Sequence, residues 1–194
     1  MKIGAHISVA GGLDQSPKRA RQQGCEVFQI FVQSPQTYQM SELGVEQIKK
    51  FKTACQKYHL AEFYVHAPYL INLASKNNKI RYGSISLLNR NFKRANILGA
   101  KYFMTHLGSA KNFSRRQALL KATAALEKIL ADGQNSCQFL LEPSAGAGQL
   151  IGDKFSDFAF ILKSLIFINV GVCLDTAHIF ASCYDLRGQP AVGR

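Results

Sequence analysis

The sequence predicts an α/β fold in which six βα units lay down a parallel sheet. Three observations carry this. Short runs rich in Val, Ile and Phe alternate with stretches whose apolar residues recur at helical spacing. Four successive strand candidates end on His66, His106, Glu142 and Asp175, which are 40, 36 and 33 residues apart. Each interval holds one loop, one helix and one strand, and such units joined by right-handed crossovers build a parallel sheet. The 194 residues are 47% hydrophobic and 19% charged, enough apolar material to bury one good core. One domain over residues 1–194 is therefore expected.

The elements follow in order. Residues 3–6 are a short strand. Gly11-Gly12 turns the chain, and Pro17 suits the first turn of a helix that Gly24 ends. Residues 26–32 read as a second strand. Val45, Ile48, Phe51 and Cys55 have helical spacing, with lysines between them facing water. A third strand, 62–66, ends on His66, and a long loop runs from Ala67 to about Asn78. Ile85, Leu88, Phe92, Ala95 and Leu98 form a helical stripe closed by Gly99. A fourth strand, 101–106, ends on His106. Ser114 with Gln117 predicts a capping box opening a helix with Leu119, Ala122, Leu126 and Ile129 on its apolar face. Residues 137–142 are a fifth strand ending on Glu142, followed by a Gly-rich loop. Phe155, Phe158, Leu162 and Leu165 mark another helix, and residues 171–174 are a sixth strand running into Asp175.

The 24 Lys and Arg against 12 Asp and Glu give a net charge of +12. The clusters at Lys18-Arg19-Arg21, Lys49-Lys50-Lys52, Arg90-Lys93-Arg94 and Arg115-Arg116 are loose, so each alone reads as a solvated helix face. An excess of this size over the whole chain points to a polyanionic partner, nucleic acid first. The five cysteines include no Cys-x-x-Cys and are expected to be reduced thiols. The N-terminus lacks a signal-peptide core, and the longest apolar run, 162–174, is broken by Lys163, Ser164, Asn169 and Gly171. A soluble, cytoplasmic protein with no membrane partner is expected.

All four strand-end residues are of metal-binding type, and His178 lies one helical turn beyond Asp175. Taken singly, a strand-end His is more often a hydrogen-bonded rim residue, and Asp175 could simply cap the next helix. Four in succession favour a metal centre. Imidazoles and carboxylates without a thiolate suit zinc, manganese or iron. Such a centre suits phosphodiester hydrolysis, because bound water is acidified and phosphate charge is offset.

The stretch His66-Ala67-Pro68-Tyr69-Leu70-Ile71-Asn72-Leu73-Ala74 and the stretch Gly171-Val172-Cys173-Leu174-Asp175-Thr176-Ala177-His178 resemble the motifs of endonuclease IV, the apurinic/apyrimidinic-site repair nuclease family. The opening Ile3-Gly4-Ala5-His6-Ile7-Ser8 with Gly11-Gly12-Leu13 resembles that family's N-terminus, and Arg187 also fits. The resemblance implies a TIM-type (β/α) barrel, about six of its eight βα units present. It implies a zinc enzyme with up to three ions that cuts DNA 5′ to an abasic site, leaving a 3′-hydroxyl. His66, His106 and Glu142 would hold the first zinc. Glu142, the implied catalytic residue, would bridge to a second held also by Asp175, and His178 would hold a third. Only the first set has its protein ligands complete. Manganese is an alternative ion. Tyr69 and Leu70 match loop residues that insert at the lesion.

The departures are specific. Gln36 stands where the family has a DNA-contacting arginine, and Pro143-Ser144 stands where it usually has Asn-Thr. The family's last motif, His-x-Asn-Asp, is absent, so a chain truncated at its C-terminus or completed by a second chain is expected. Two other readings remain beside the nuclease. One is a non-catalytic remnant that binds abasic duplex DNA. The other is a metal-dependent sugar isomerase or epimerase on the related barrel.

Overall fold

The structure is a computed structural model describing residues 1–111, 113–131, 136–165 and 169–188. Strands and helices alternate throughout: β1 (Gly4–His6), α1 (Gln15–Gln22), β2 (Val27–Ile30), α2 (Val45–Lys57), β3 (Phe63–His66), α3 (Asn78–Leu98), β4 (Tyr102–Thr105), α4 (Arg115–Leu130), β5 (Gln138–Leu141), α5 (Phe155–Ser164), β6 (Val170–Val172) and α6 (Thr176–Ala181). The six strands form one sheet in the order β1-β2-β3-β4-β5-β6. Sequence order equals spatial order, so the strand order never reverses as it does in a doubly wound sheet. Every expected strand is present within a few residues at its ends, and every expected helix is present.

The chain divides into two compact units. The first holds Met1–Leu70, Leu87–Met104 and residues 136–138. Its ladder is parallel, with Ala5 opposite Phe28, Gln29 opposite Tyr64, and His66 opposite Met104. Phe28, Ile30, Phe51, Val65 and Phe103 are fully buried there. Phe63 stacks on Phe28 at 5.5 Å between ring centroids and meets Phe51 edge-on at 5.0 Å. Two helical readings need correction in this unit. Val45 is 83% exposed because it sits at the first position of α2, so the core face is Phe51 and Cys55. Arg94 is not on a solvated face. It is 8% exposed and donates from Nη1 to the Val32 carbonyl at 2.8 Å and from Nη2 to the Ser41 carbonyl. Burial, then the charge of Arg90, pushes its pKa down. The guanidinium fits inside because its fork spans two carbonyls of the irregular loop after β2.

The second unit holds Ile71–Ser86 and the described residues of 105–131 and 139–188. β5 and β6 pair in parallel, with Leu141 opposite Val172. Beyond the strand ends the ladder continues, through Glu142 N to Thr105 O at 2.9 Å and Cys173 N to Leu141 O at 2.9 Å. Leu107, Ala118, Ala122, Leu126, Leu141, Ile151, Phe158 and Ile161 are buried in this unit. The predicted capping box opens α4: Ser114 Oγ accepts from Gln117 N, and Gln117 Oε1 accepts from Ser114 N. α3 starts at Asn78, a full turn and more before Ile85, where its buried stripe deepens. Among the described residues no helix is long and apolar enough to cross a membrane.

Candidate metal centre

Three of the strand-end residues and His178 lie in the second unit: His106 follows β4, Glu142 follows β5, and Asp175 and His178 are both set by α6. His106 and Glu142 each follow their strand by one residue. Glu142 is buried, held in the sheet by its own amide bond to Thr105. Asp175 is the N-cap of α6, and its Oδ1 accepts from His178 N at 2.9 Å. The capping reading of Asp175 is therefore correct. It also aims the second oxygen, because Asp175 Oδ2 lies 3.6 Å from His178 Nδ1. α6 is held at its far end by Ser182, whose Oγ donates to the Ser144 carbonyl in the loop after β5 at 2.8 Å.

These elements bring their donors together. Glu142 Oε1 lies 3.5 Å from His178 Nδ1 and 3.9 Å from His106 Nε2. One ligand atom from each of Glu142, Asp175 and His178 lies within 4.8 Å of the others. The two imidazoles meet edge-on at 5.1 Å between centroids. His106 Nδ1 faces the Glu142 carbonyl at 3.3 Å. If it donates there, the ring presents a lone pair at Nε2 toward the carboxylate, a common way of fixing a ligand tautomer.

The residues fit a divalent cation on a specific observation. His178 Nδ1 is fully buried and makes no hydrogen bond among the described residues, although two carboxylate oxygens face it. Separations of 3.5 and 3.6 Å exceed an ordinary N–H···O bond. They match donors around one ion, since ligands at about 2.0–2.1 Å in a tetrahedron stand roughly 3.3 Å apart. Burial, then the carboxylates of Glu142 and Asp175, push the Cys173 thiol up to about 11.

The other expected site residues belong to the first unit. His66 ends β3, is 6% exposed, and places Nδ1 2.6 Å from the Ala67 carbonyl, so it too can present Nε2 as ligand. Tyr69 is 66% exposed, with its ring 5.2 Å from Phe31 and 5.9 Å from His66. Leu70 is half-buried, and its carbonyl accepts from Tyr38 Oη at 3.1 Å. Gln36 is exposed in the loop after β2. The motifs did not announce what supports His106. Asn72 Oδ1 accepts from Ser109 N at 3.2 Å, against a glycine, Gly108, at φ +100°. The only hint in the sequence was a glycine two residues after His106.

Comparison with known proteins defines the class first. Residues 17–193 match the family model of the xylose isomerase-like TIM barrel. The "Probable endonuclease 4" of Halothermothrix orenii is 36% identical over 188 residues, covering 96% of this chain and 68% of that protein. The "Probable endonuclease 4" of Aquifex aeolicus is 33% identical over 193 residues, covering 95% and 66%. The crystal structure of endonuclease IV from Thermus thermophilus superposes with a TM-score of 0.78 at 27% identity, covering 93% of this chain and 65% of that one. The chain belongs to the endonuclease IV family, and it spans about two thirds of the length of these relatives. A D-tagatose 3-epimerase-like protein shares the fold at 19% identity and a TM-score of 0.71, covering 91% of this chain and 66% of that one.

Proposed function

We propose that this protein is a metal-dependent DNA repair endonuclease that hydrolyses the phosphodiester 5′ to an abasic site and leaves a 3′-hydroxyl. The supporting observation is the set of donors on Glu142, Asp175, His106 and His178, with His178 Nδ1 buried and without a hydrogen bond among the described residues. In this reading the ion is zinc, with manganese the alternative. A divalent ion held there supplies acidified water and offsets phosphate charge. His66 joins His106 and Glu142 as ligand. In support, His66 ends the strand beside β4, opposite Met104, two residues before His106. Glu142 Oε1 faces both His106 and His178, which suits a carboxylate shared between ions. Exposed Tyr69 and half-buried Leu70 enter the duplex at the lesion, and the net charge of +12 draws in the polyanion.

The partner is duplex DNA carrying an abasic site. A second polypeptide that adds strand ends beside β6 would supply further ligands, since among the described strands β6 pairs only with β5. The epimerase-like structures support a common fold and no more.

The test uses purified protein, zinc, a duplex with one abasic site and an undamaged control. Nicking of the damaged strand alone, with a 3′-hydroxyl product and loss in His106→Ala, is the expected result. Tight binding of the abasic duplex without nicking would show the non-catalytic reading instead. Turnover of ketose sugars with none of DNA would overturn the nuclease. Native mass spectrometry reads any second chain directly.

A further inference from the structure

We infer that Asn72 is a positioning residue that fixes the strand-end His106 through the backbone of residues 107–110, using Oδ1 as an acceptor. The inference rests on the metal reading of His106 given above. Asn72 Oδ1 accepts from Ala74 N at 3.2 Å and from Ser109 N at 3.2 Å. The first bond is a local turn of the kind Asn commonly makes. The second is not local, because it spans 37 residues and reaches the loop that follows β4. Beside it, Leu73 N donates to the Leu107 carbonyl at 3.1 Å. Asn72 N in turn donates at 3.0 Å to Ser84 Oγ, which is fully buried on α3. The residue whose oxygen holds Ser109 is thus anchored through its backbone to a helix.

Gly108 shows how close this approach is. A Cβ there would lie 2.5 Å from Asn72 Cα and 2.6 Å from Asn72 Oδ1, and its φ of +100° disfavours any side chain. The opposite flank of the same segment is held by the loop after β5. Ile151 N donates to the Gly108 carbonyl at 3.0 Å, Ala110 N to the Gln149 carbonyl at 2.8 Å, and Ser109 Oγ to the same carbonyl at 3.1 Å. Residues 107–110 are therefore gripped on both sides immediately after His106. The imidazole's own backbone contact, 3.3 Å to the Glu142 carbonyl, is long. Metal ligands must be held to within about 0.5 Å. The grip on residues 107–110 supplies that constraint from the C-terminal side, and Asn72 contributes to it from outside the segment.

Two near-isosteric substitutions separate this role from general packing. Asn72→Leu keeps the volume and removes the acceptor, whereas Asn72→Asp keeps the acceptor. Two readouts are taken on the full chain: amide hydrogen exchange across residues 105–110, and titration with cobalt(II) followed by its visible absorption. Asn72→Leu is expected to speed exchange in that segment about tenfold, the effect of one lost hydrogen bond. It is expected to weaken cobalt binding by about 10- to 100-fold, as loss of a ligand's support does. Asn72→Asp is expected to restore both, and Gly108→Ala to reproduce the Leu result. Unchanged exchange and cobalt affinity in Asn72→Leu would overturn the inference. So would an Asp variant as defective as the Leu variant when both melt at the wild-type temperature. A wild-type chain that binds no cobalt would instead remove the metal reading, and the exchange comparison alone would then decide whether Asn72 holds residues 107–110.

Discussion

His178 Nδ1 and Asp157 show two ways in which a buried polar group is accommodated, and each predicts a measurement. A buried nitrogen left without a partner costs about 1–3 kcal/mol, yet His178 Nδ1 is held facing two carboxylate oxygens. A divalent ion between them would remove that cost, so if the proposed metal is zinc, its binding should stabilise the fold. At a free zinc concentration a hundredfold above its Kd the gain is about 2.7 kcal/mol. Differential scanning calorimetry with and without zinc should show a raised midpoint that a chelator reverses. In His178→Ala the rise should shrink; an equal rise would place the ion elsewhere. Asp157 is satisfied internally instead. It is 2% exposed, and Arg115 donates to it from Nε at 2.8 Å and from Nη2, while Gly152 N donates at 2.7 Å. Arg115→Met leaves a buried carboxylate with one donor. The expected loss is about 3 kcal/mol, the low end for a broken buried pair, since Arg115 itself is partly exposed. Chemical denaturation measures it, and Asp157→Asn in the same background should recover part of the loss.

Among the elements, the N-terminal ends of β3 and β4 carry a charge cluster whose pH dependence is set by Glu62. Lys2 Nζ lies 2.6 Å and Lys101 Nζ 3.0 Å from its carboxylate, and Tyr64 Oη donates at 2.7 Å. The Lys2 bond, then those from Tyr64 and Lys101, hold Glu62 down at about 2. A folded-state pKa below the unfolded one gives stability that is present above about pH 4.5 and lost as pH falls through about 2. Comparing wild type with Glu62→Gln, the difference in unfolding free energy should be flat from about pH 5 to 8 and vanish toward about pH 2. Solvent screening keeps the plateau below about 1 kcal/mol. A difference that grew on acidification would reverse the sign and refute the assignment. The elements themselves were legible because their signals are local. Ser114 and Gln117 are three residues apart and cap the same turn, and the strand ends at His66, His106 and Glu142 fall where the apolar runs stop. What stayed hidden depends on residues far apart in sequence. Arg94 looks like one more basic residue on a helix until the carbonyls of Val32 and Ser41 are placed against it. Asn72 looks like a turn residue until Ser109 arrives from 37 positions away.

Across the whole molecule the proposed substrate separates two contributions that the sequence merges. The excess of Lys and Arg acts on any polyanion, damaged or not, and each phosphate neutralised releases counterions. The binding constant then falls with a slope of about −0.9 per contact in a log–log plot against salt. From about 50 to 200 mM salt that is roughly a 3.5-fold loss per phosphate contact. Affinity for abasic and undamaged duplexes should therefore fall in parallel, at a slope that removing one or two surface lysines makes shallower. In the proposed function, preference for the lesion would have a different origin. Tyr69 is exposed and rests against Phe31 and His66, so it presents an apolar ring that is easily desolvated at an empty nucleotide position. Tyr69→Ala should lower the ratio of abasic to undamaged affinity while leaving the salt slope of either unchanged. Fluorescence anisotropy on both duplexes across a salt series measures slope and ratio together. If Tyr69→Ala changed the slope and spared the ratio, the ring would be part of the electrostatic footprint, and lesion recognition would have to come from other residues.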